Sequence, residues 1–142
     1  MSDLELPRTF RPLGVRMAGI AGGLVVLVAV VAAWLLLSPE IRAMFNLFER
    51  VLALILGAMA AACVHALVRA KAVVTERGMT VVNGYRTHDL EWAQIVAIHL
   101  PTGAPWATLD LSDGTTCSVM ALQATDGDRA VKAVRQIRAL LR

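Results

Sequence analysis

The stretch T-E-R-G-M-T-V-V-N-G-Y-R-T-H-D-L-E-W-A-Q-I, residues 75–95, decides what kind of molecule this is. Apolar and polar residues alternate with a period of two, the signature of a half-buried strand. Asn83-Gly84 supplies the positive φ that a tight hairpin turn needs, so Met79–Asn83 and Tyr85–Leu90 read as paired strands. Ala72–Thr75 is a further strand, joined through Glu76-Arg77-Gly78. The stretch begins only a few residues after a long apolar run, so a β-rich domain stands next to something greasy.

Downstream the alternation continues. Ile95–Leu100 places Val96, Ile98 and Leu100 on one face. Pro101–Pro105 breaks the chain, and Trp106–Leu111 aligns Ala107, Leu109 and Leu111. Asp113-Gly114 is a second tight turn, after which Thr115–Leu122 aligns Cys117, Val119 and Ala121. Six such strands with hairpin turns predict a meandering antiparallel sheet. The end changes period: Thr125 to Asp128 reads as a capping sequence, and Asp128–Leu141 as a helix. Ala130, Ala133, Val134, Ile137, Leu140 and Leu141 fall on one helical arc, with Lys132, Arg135, Arg138 and Arg142 opposite.

Upstream the chain is apolar without period. No charge lies between Arg16 and Glu40, and residues 17–37 span about 31 Å as a helix, the thickness of a hydrocarbon core. A cleaved signal peptide has a shorter apolar core and a small-residue cleavage site, which A-W-L-L-L-S-P does not offer. Residues 51–68 form a second apolar run between Arg50 and Arg69. Residues 38–50 read as a short interfacial turn, with Trp34 an anchor on the same side. Gly19-x-x-x-Gly23 and Gly57-x-x-x-Ala61 have the spacing that lets helix backbones approach closely, and so are candidate helix-packing positions. His65, one turn before Arg69, reads as an interfacial neutral histidine.

Orientation is set by the basic residues in the short flanks. Arg8, Arg11 and Arg16 precede the first span, and Arg69, Lys71 and Arg77 come after the second, against Arg42 and Arg50 between them. The rule that positive flanks stay inside places both termini in the cytoplasm of a two-span cell-membrane protein. Residues 1–16 are then a cytoplasmic arm, 38–50 the non-cytoplasmic linker, and 70–142 a cytoplasmic domain.

Composition agrees. The 142 residues are 57% hydrophobic but only 5% aromatic, so Ala, Val, Leu and Ile carry the apolarity. A net charge of +3 with few aromatics lacks the dense basic patch of a nucleic-acid reader. Cys63 and Cys117 fall in different phases, one in lipid and one in water, so no disulfide between them is expected.

Catalytic chemistry has little to build on. His88 and Asp89 are adjacent on a strand and point to opposite faces. His99 reads as a partly exposed strand residue, and Asp113-Gly114 as turn chemistry. No phosphate-cradling glycine loop, nucleophile elbow or metal quartet is present, so neither enzyme activity nor a cofactor is expected. Trp92 reads as a core plug. Trp106 lies off the Leu109 face and is a candidate partner surface.

Thr75–Asn83 (T-E-R-G-M-T-V-V-N), Trp92–Ile95 (W-A-Q-I), Pro105–Gly114 (P-W-A-T-L-D-L-S-D-G) and the helix start at Ala121–Ala130 together resemble the PH-like domains of small actinobacterial membrane proteins. The pattern, covering about 70–142, is similar to the PH domain-containing family of low molecular weight protein antigen 6. The resemblance implies an α+β PH-like fold, a strand meander closed by a C-terminal amphipathic helix, behind a two-span transmembrane hairpin. Phosphoinositide-binding PH domains crowd Lys and Arg around the first strand–turn–strand. Here Arg77 and Arg86 face Glu76 and Asp89, which argues against a specific inositol-phosphate pocket. The function expected is a non-catalytic accessory or scaffolding module, binding another protein or itself. The alternative is an electrostatic sensor of anionic lipid through Lys132, Arg135, Arg138 and Arg142.

Overall fold

The computed structural model describes residues 5–141. In chain order these form strand β1 (Arg8–Phe10), helices α1 (Leu13–Leu36), α2 (Pro39–Met44) and α3 (Leu47–Val68), strands β2 (Lys71–Val74), β3 (Gly78–Asn83), β4 (Arg86–Glu91), β5 (Ile95–His99), β6 (Trp106–Leu111) and β7 (Thr116–Gln123), and helix α4 (Asp128–Leu140). The chain is thus a helical hairpin followed by an α+β domain.

Helices α1 and α3 are each long and apolar enough to cross a membrane, and neither holds a buried residue. They pack on each other through α1 glycines: a Cβ at Gly19 would lie 3.2 Å from Val68 and 3.5 Å from Val64. The connection between them is more ordered than the turn expected. Ser38 and Pro39 start α2, with the Ile41 N–H donating to Ser38 Oγ at 3.4 Å. Asn46 and Glu49 then form a capping box at the start of α3. Arg50 ties the two ends together. It donates to the carbonyls of Phe45 and Arg42 and lies 5.7 Å over the Trp34 ring. That local hydrogen bonding explains why a proline-containing segment still makes a turn of helix.

The domain departs from a single meander. Strands β1-β2-β3-β4 make one antiparallel sheet and β5-β6-β7 another. The division falls at Trp92–Gln94, a 3-10 turn in which the Glu91 N–H donates to Gln94 Oε1 at 2.9 Å. The Trp92 indole N–H donates to the Thr75 carbonyl at 3.1 Å, so this ring, half-buried against the core, fixes the crossing. The Asn83 side chain stitches the two sheets. Its amide donates to Ser118 O and accepts from Met120 N–H at 3.0 Å, replacing a strand partner at the end of β3.

The seventh strand, β1, comes from the segment expected to be a free arm. It pairs antiparallel with β2, Arg8 opposite Val74 and Phe10 opposite Ala72. Leu6 and Phe10 pack on the core, and Pro12 is fully buried. Three residues are too few to display a period, which is why the strand is silent in the sequence.

The core lies between the sheets, with α4 closing one end through Ala133, Val134 and Ile137. Val96 does not join Ile98 inside as expected; it is 63% exposed. A bulge between Ile95 and Ala97 adds a residue to β5, so Ile95 takes the inward place. Nor does Thr125 cap α4. Gly127 occupies that position, and the Thr125 hydroxyl points to Gln123 Oε1 at 3.4 Å.

Gly78 begins β3 where the backbone of β4 comes closest. A Cβ there would collide with the Leu90 carbonyl oxygen and lie 2.8 Å from Glu91 Cα. Backbone cannot swing aside as a side-chain tip can, so Gly78→Ala is expected to lower stability by about 1–3 kcal/mol. Thermal unfolding of the full chain in detergent checks this. An unchanged midpoint would show that β3 and β4 can part there at no cost.

Candidate functional site

The surface with most convergent chemistry is the junction where both long helices meet the domain. At the start of α1 the residue before the helix is Pro12, which offers no capping side chain. The orphan N–H groups of the first turn find a partner 112 residues away. Asp126 Oδ2 accepts from the Leu13 N–H at 3.1 Å, and Oδ1 from the Gly14 N–H at 3.0 Å. A carboxylate at a helix N-terminus also meets the positive end of its macrodipole. The acid that reads locally as part of the α4 start is in fact the cap of α1.

At the end of α3 the contact is aromatic. The Tyr85 hydroxyl donates to the Ala62 carbonyl at 3.1 Å. Having one proton, it accepts from His65 Nδ1–H at 2.9 Å. The Arg69 guanidinium sits 5.3 Å over the Tyr85 ring. Gly84, at φ +61°, lets the turn approach α3 closely, and a Cβ there would lie 3.4 Å from the Ala66 Cβ. Interfacial His65 is therefore a tie between helix and domain.

Beside the Asp126 tie, a cleft of about 230 Å³ opens between the β1 segment and α4. Apolar Phe10, Leu122 and Ala133 line it together with polar Thr9 and Gln136 and the cations Arg8, Arg11, Arg129 and Lys132. Among the described residues Asp126 is the one acid lining it, and both of its oxygens accept from α1. None of the four cations pairs with a carboxylate among the described residues.

The residues singled out in the sequence are dispersed by comparison. Lys132 lines the cleft, and Arg135 is exposed. Arg138 is not free for a surface: its guanidinium donates twice to the Ile98 carbonyl, at 2.8 and 3.3 Å, stapling α4 to β5. Arg142 lies outside the described residues. Trp106 is half-buried opposite Gln123 rather than exposed. Gly19 and Gly23 face Val64 of α3. A Cβ at Gly57 would meet nothing within 4 Å, and Ala61 is exposed.

The polar side chains that could suggest catalysis are used locally. Asp89 accepts from the Thr80 hydroxyl at 2.6 Å. His99 Nδ1 lies 3.5 Å from Asp110 Oδ2 across β5 and β6, a lone pair on a strand surface. The Thr115 hydroxyl and N–H hold the Asp113 carboxyl below its ordinary range, as a turn acid. Burial pushes the Cys117 thiol up. Among the described residues no three His, Cys, Asp or Glu side chains gather to hold a metal.

Sequence reasoning missed Asp126 and Tyr85 because each acts on a partner far along the chain. The one local signal was the absence of a capping residue before Leu13.

Among known proteins, a bacterial PH domain family model matches residues 69–140. Uncharacterized proteins of Mycobacterium bovis and Mycobacterium tuberculosis are 33% identical over 132 residues, covering 92% of this chain and 86% of theirs. That match takes in the helical hairpin as well as the domain. No solved structure matches the chain.

Asp126→Ala removes both acceptors at the α1 start and is expected to destabilise by about 1–2 kcal/mol. Asp126→Asn, which keeps one acceptor oxygen, should lose less. Hydrogen exchange at the Leu13 and Gly14 amides, measured in lipid nanodiscs, reports the cap directly. Unchanged protection in Asp126→Ala would mean the cap is not formed.

Proposed function

Since the chain belongs to the bacterial PH domain family, we propose that it is a non-catalytic membrane protein that holds a PH-like interaction module in a fixed pose at the cytoplasmic face of the cell membrane. In this reading residues 17–37 and 51–68 lie in hydrocarbon, 38–50 on the far side, and 70–142 form the module. Its partner is another protein or a second copy, for which the chain acts as an accessory or scaffold.

The observation that carries this reading is the triple attachment of the domain: β1 within its sheet, Asp126 on α1, and Tyr85 on α3. A domain that merely needed a membrane address would be served by a flexible linker. Attachment to both helices supports a role in which orientation matters, as when a second membrane-embedded chain must be met at a set height. The pairing of β1 with β2 also supports a shared side for the N-terminal segment and the domain, matching the arginine count.

The anionic-surface alternative keeps less of its original basis. With Arg138 bound to a carbonyl, Lys132 and Arg135 are what remains, among the described residues, of the four cations that reading named.

Two measurements test the proposal. In a Cys63→Ala, Cys117→Ala background, a membrane-impermeant maleimide added to intact cells should label Glu40→Cys in the linker and spare Asp113→Cys in the β6–β7 turn. The reverse pattern would place the domain outside. Extraction into native-lipid nanodiscs should then give a particle with a stoichiometric second chain or a defined oligomer. A strictly single-chain particle would remove the scaffold reading.

A further inference from the structure

The two sheets of the domain end in four edge strands, β1, β4, β5 and β7. An edge offers a row of unpaired N–H and C=O groups to any extended chain, and folded proteins usually close such rows. Three of the four are closed among the described residues. On β7 the Asn83 side chain takes the Ser118 carbonyl and the Met120 N–H. Strand β5 is bulged between Ile95 and Ala97, and the Arg138 guanidinium takes its Ile98 carbonyl. Strand β1 is three residues long, and its middle residue, Thr9, lines the cleft beside α4.

Strand β4 has no such closure. Its six residues are exposed apart from half-buried Leu90, and its register with β3 is unbroken from Asn83↔Arg86 to Gly78↔Glu91. In a two-residue hairpin the closing pair exchanges its hydrogen bonds, so Arg86, His88 and Leu90 bond inward to β3. Thr87, Asp89 and Glu91 then direct their backbone groups away from the sheet. The Glu91 N–H is taken by Gln94, but those of Thr87 and Asp89 have no partner among the described residues. The three side chains share one face of the strand. Two of them are acids, and neither Asp89 nor Glu91 makes an ion pair among the described residues.

The strand also has a fixed place. Tyr85, directly before it, is bonded to Ala62 of α3, so β4 starts beside the helix and leads about 17 Å away from it. We propose that β4 accepts, as an added strand, the basic extended segment flanking a span of another membrane protein. Cytoplasmic flanks of membrane spans are rich in Lys and Arg. A strand carrying them at alternate positions sets each against Asp89 or Glu91. The open backbone groups supply the pairing and the acids select the partner. A second copy does not fit this edge. A two-fold that pairs β4 with itself sets the strands antiparallel, which carries the second copy's Tyr85 to the Glu91 end, away from the bilayer that holds its own α3. The inference rests on the scaffold reading above, for which it names the surface and the partner's chemistry.

The test uses full-length protein in a neutral detergent and a fluorescent peptide alternating lysine with threonine. Anisotropy reads binding, and hydrogen exchange reports the Thr87 and Asp89 amides. The peptide should bind and protect both. The same peptide N-methylated at alternate residues keeps its charge but loses its donors, and should not bind; nor should a glutamate–threonine peptide. Thr87→Pro deletes an outward N–H that β3 does not use, so it should fold and weaken the lysine peptide about tenfold, the upper range for one backbone hydrogen bond. Asp89→Lys should weaken it about fivefold and let the glutamate peptide bind instead. Should Thr87→Pro fail to fold, the charge exchange at Asp89 decides alone.

Equal binding of the N-methylated peptide would overturn the proposal, since charge alone would then act, as would undiminished binding by folded Thr87→Pro. In cell membranes a photoreactive side chain in place of Thr87 should join to the flank of a span in another chain. An adduct with a second copy, or with lipid alone, would overturn the assignment. A second chain retained undiminished in nanodiscs of Thr87→Pro would overturn it too, while leaving the scaffold reading standing, so the two proposals fail separately.

Discussion

A helix presents unsatisfied N–H groups at its first turn, and at the start of α1 no neighbour in sequence can satisfy them. Pro12 has no acceptor side chain, and neither do Leu13, Gly14 and Val15 after it. The carboxylate of Asp126 resolves this from the far end of the chain. Much else depends on that bond. For it to form, the short turn between β7 and α4 has to lie directly on the α1 start. This brings the first turns of α4 beside the β1 segment and creates the basic cleft between them. The same bonds hold the Asp126 carboxylate on the α1 start, where it makes no ion pair with a rim cation among the described residues.

The Tyr85 contact acts at the other helix and by different means. It uses a ring, two hydrogen bonds, a stacked guanidinium and a close glycine approach rather than a carboxylate. With one helix capped by a carboxylate and the other gripped by an aromatic side chain, the domain has little freedom to tilt. A hairpin and a domain joined at one point would behave as two bodies. Joined at both helices and through a common sheet, they behave as one.

Much of this architecture is legible in the sequence, and the rest is hidden for identifiable reasons. The alternation in residues 75–95 and in Trp106–Leu111 announces strands, and the inward positions Ala107, Leu109, Cys117 and Val119 are indeed buried. The α4 arc is equally clear: Ala130, Ala133, Val134 and Ile137 face the core. What fails locally is what depends on one added residue or one distant partner. The bulge after Ile95 turns Val96 outward although its period is intact up to that point. Trp92 looks like a plug but also closes the turn that divides the sheets. The cleft could not be read at all, because Arg11 and Arg129 are separated by more than a hundred positions and come together only once β1 has joined its sheet and Asp126 has met α1. Arg138, conversely, belongs to an obvious basic stripe yet is consumed by the Ile98 carbonyl.

Strand β1 bears on how such a chain is made. Phe10 pairs with Ala72, so the sheet's outermost strand leaves the ribosome well before its partner, with the whole hairpin synthesised between them. In the membrane placement proposed above, residues 8–10 wait until both helices have been threaded into the bilayer. They can dock only if they waited on the side where residue 71 emerges. A chain in which only one of the two helices had inserted would have its edge strand stranded across the bilayer, with Phe10, Leu6 and Pro12 lacking a core and β2 left as a bare edge. Completion of the sheet thus depends on both helices having crossed as a pair, whichever side the termini share.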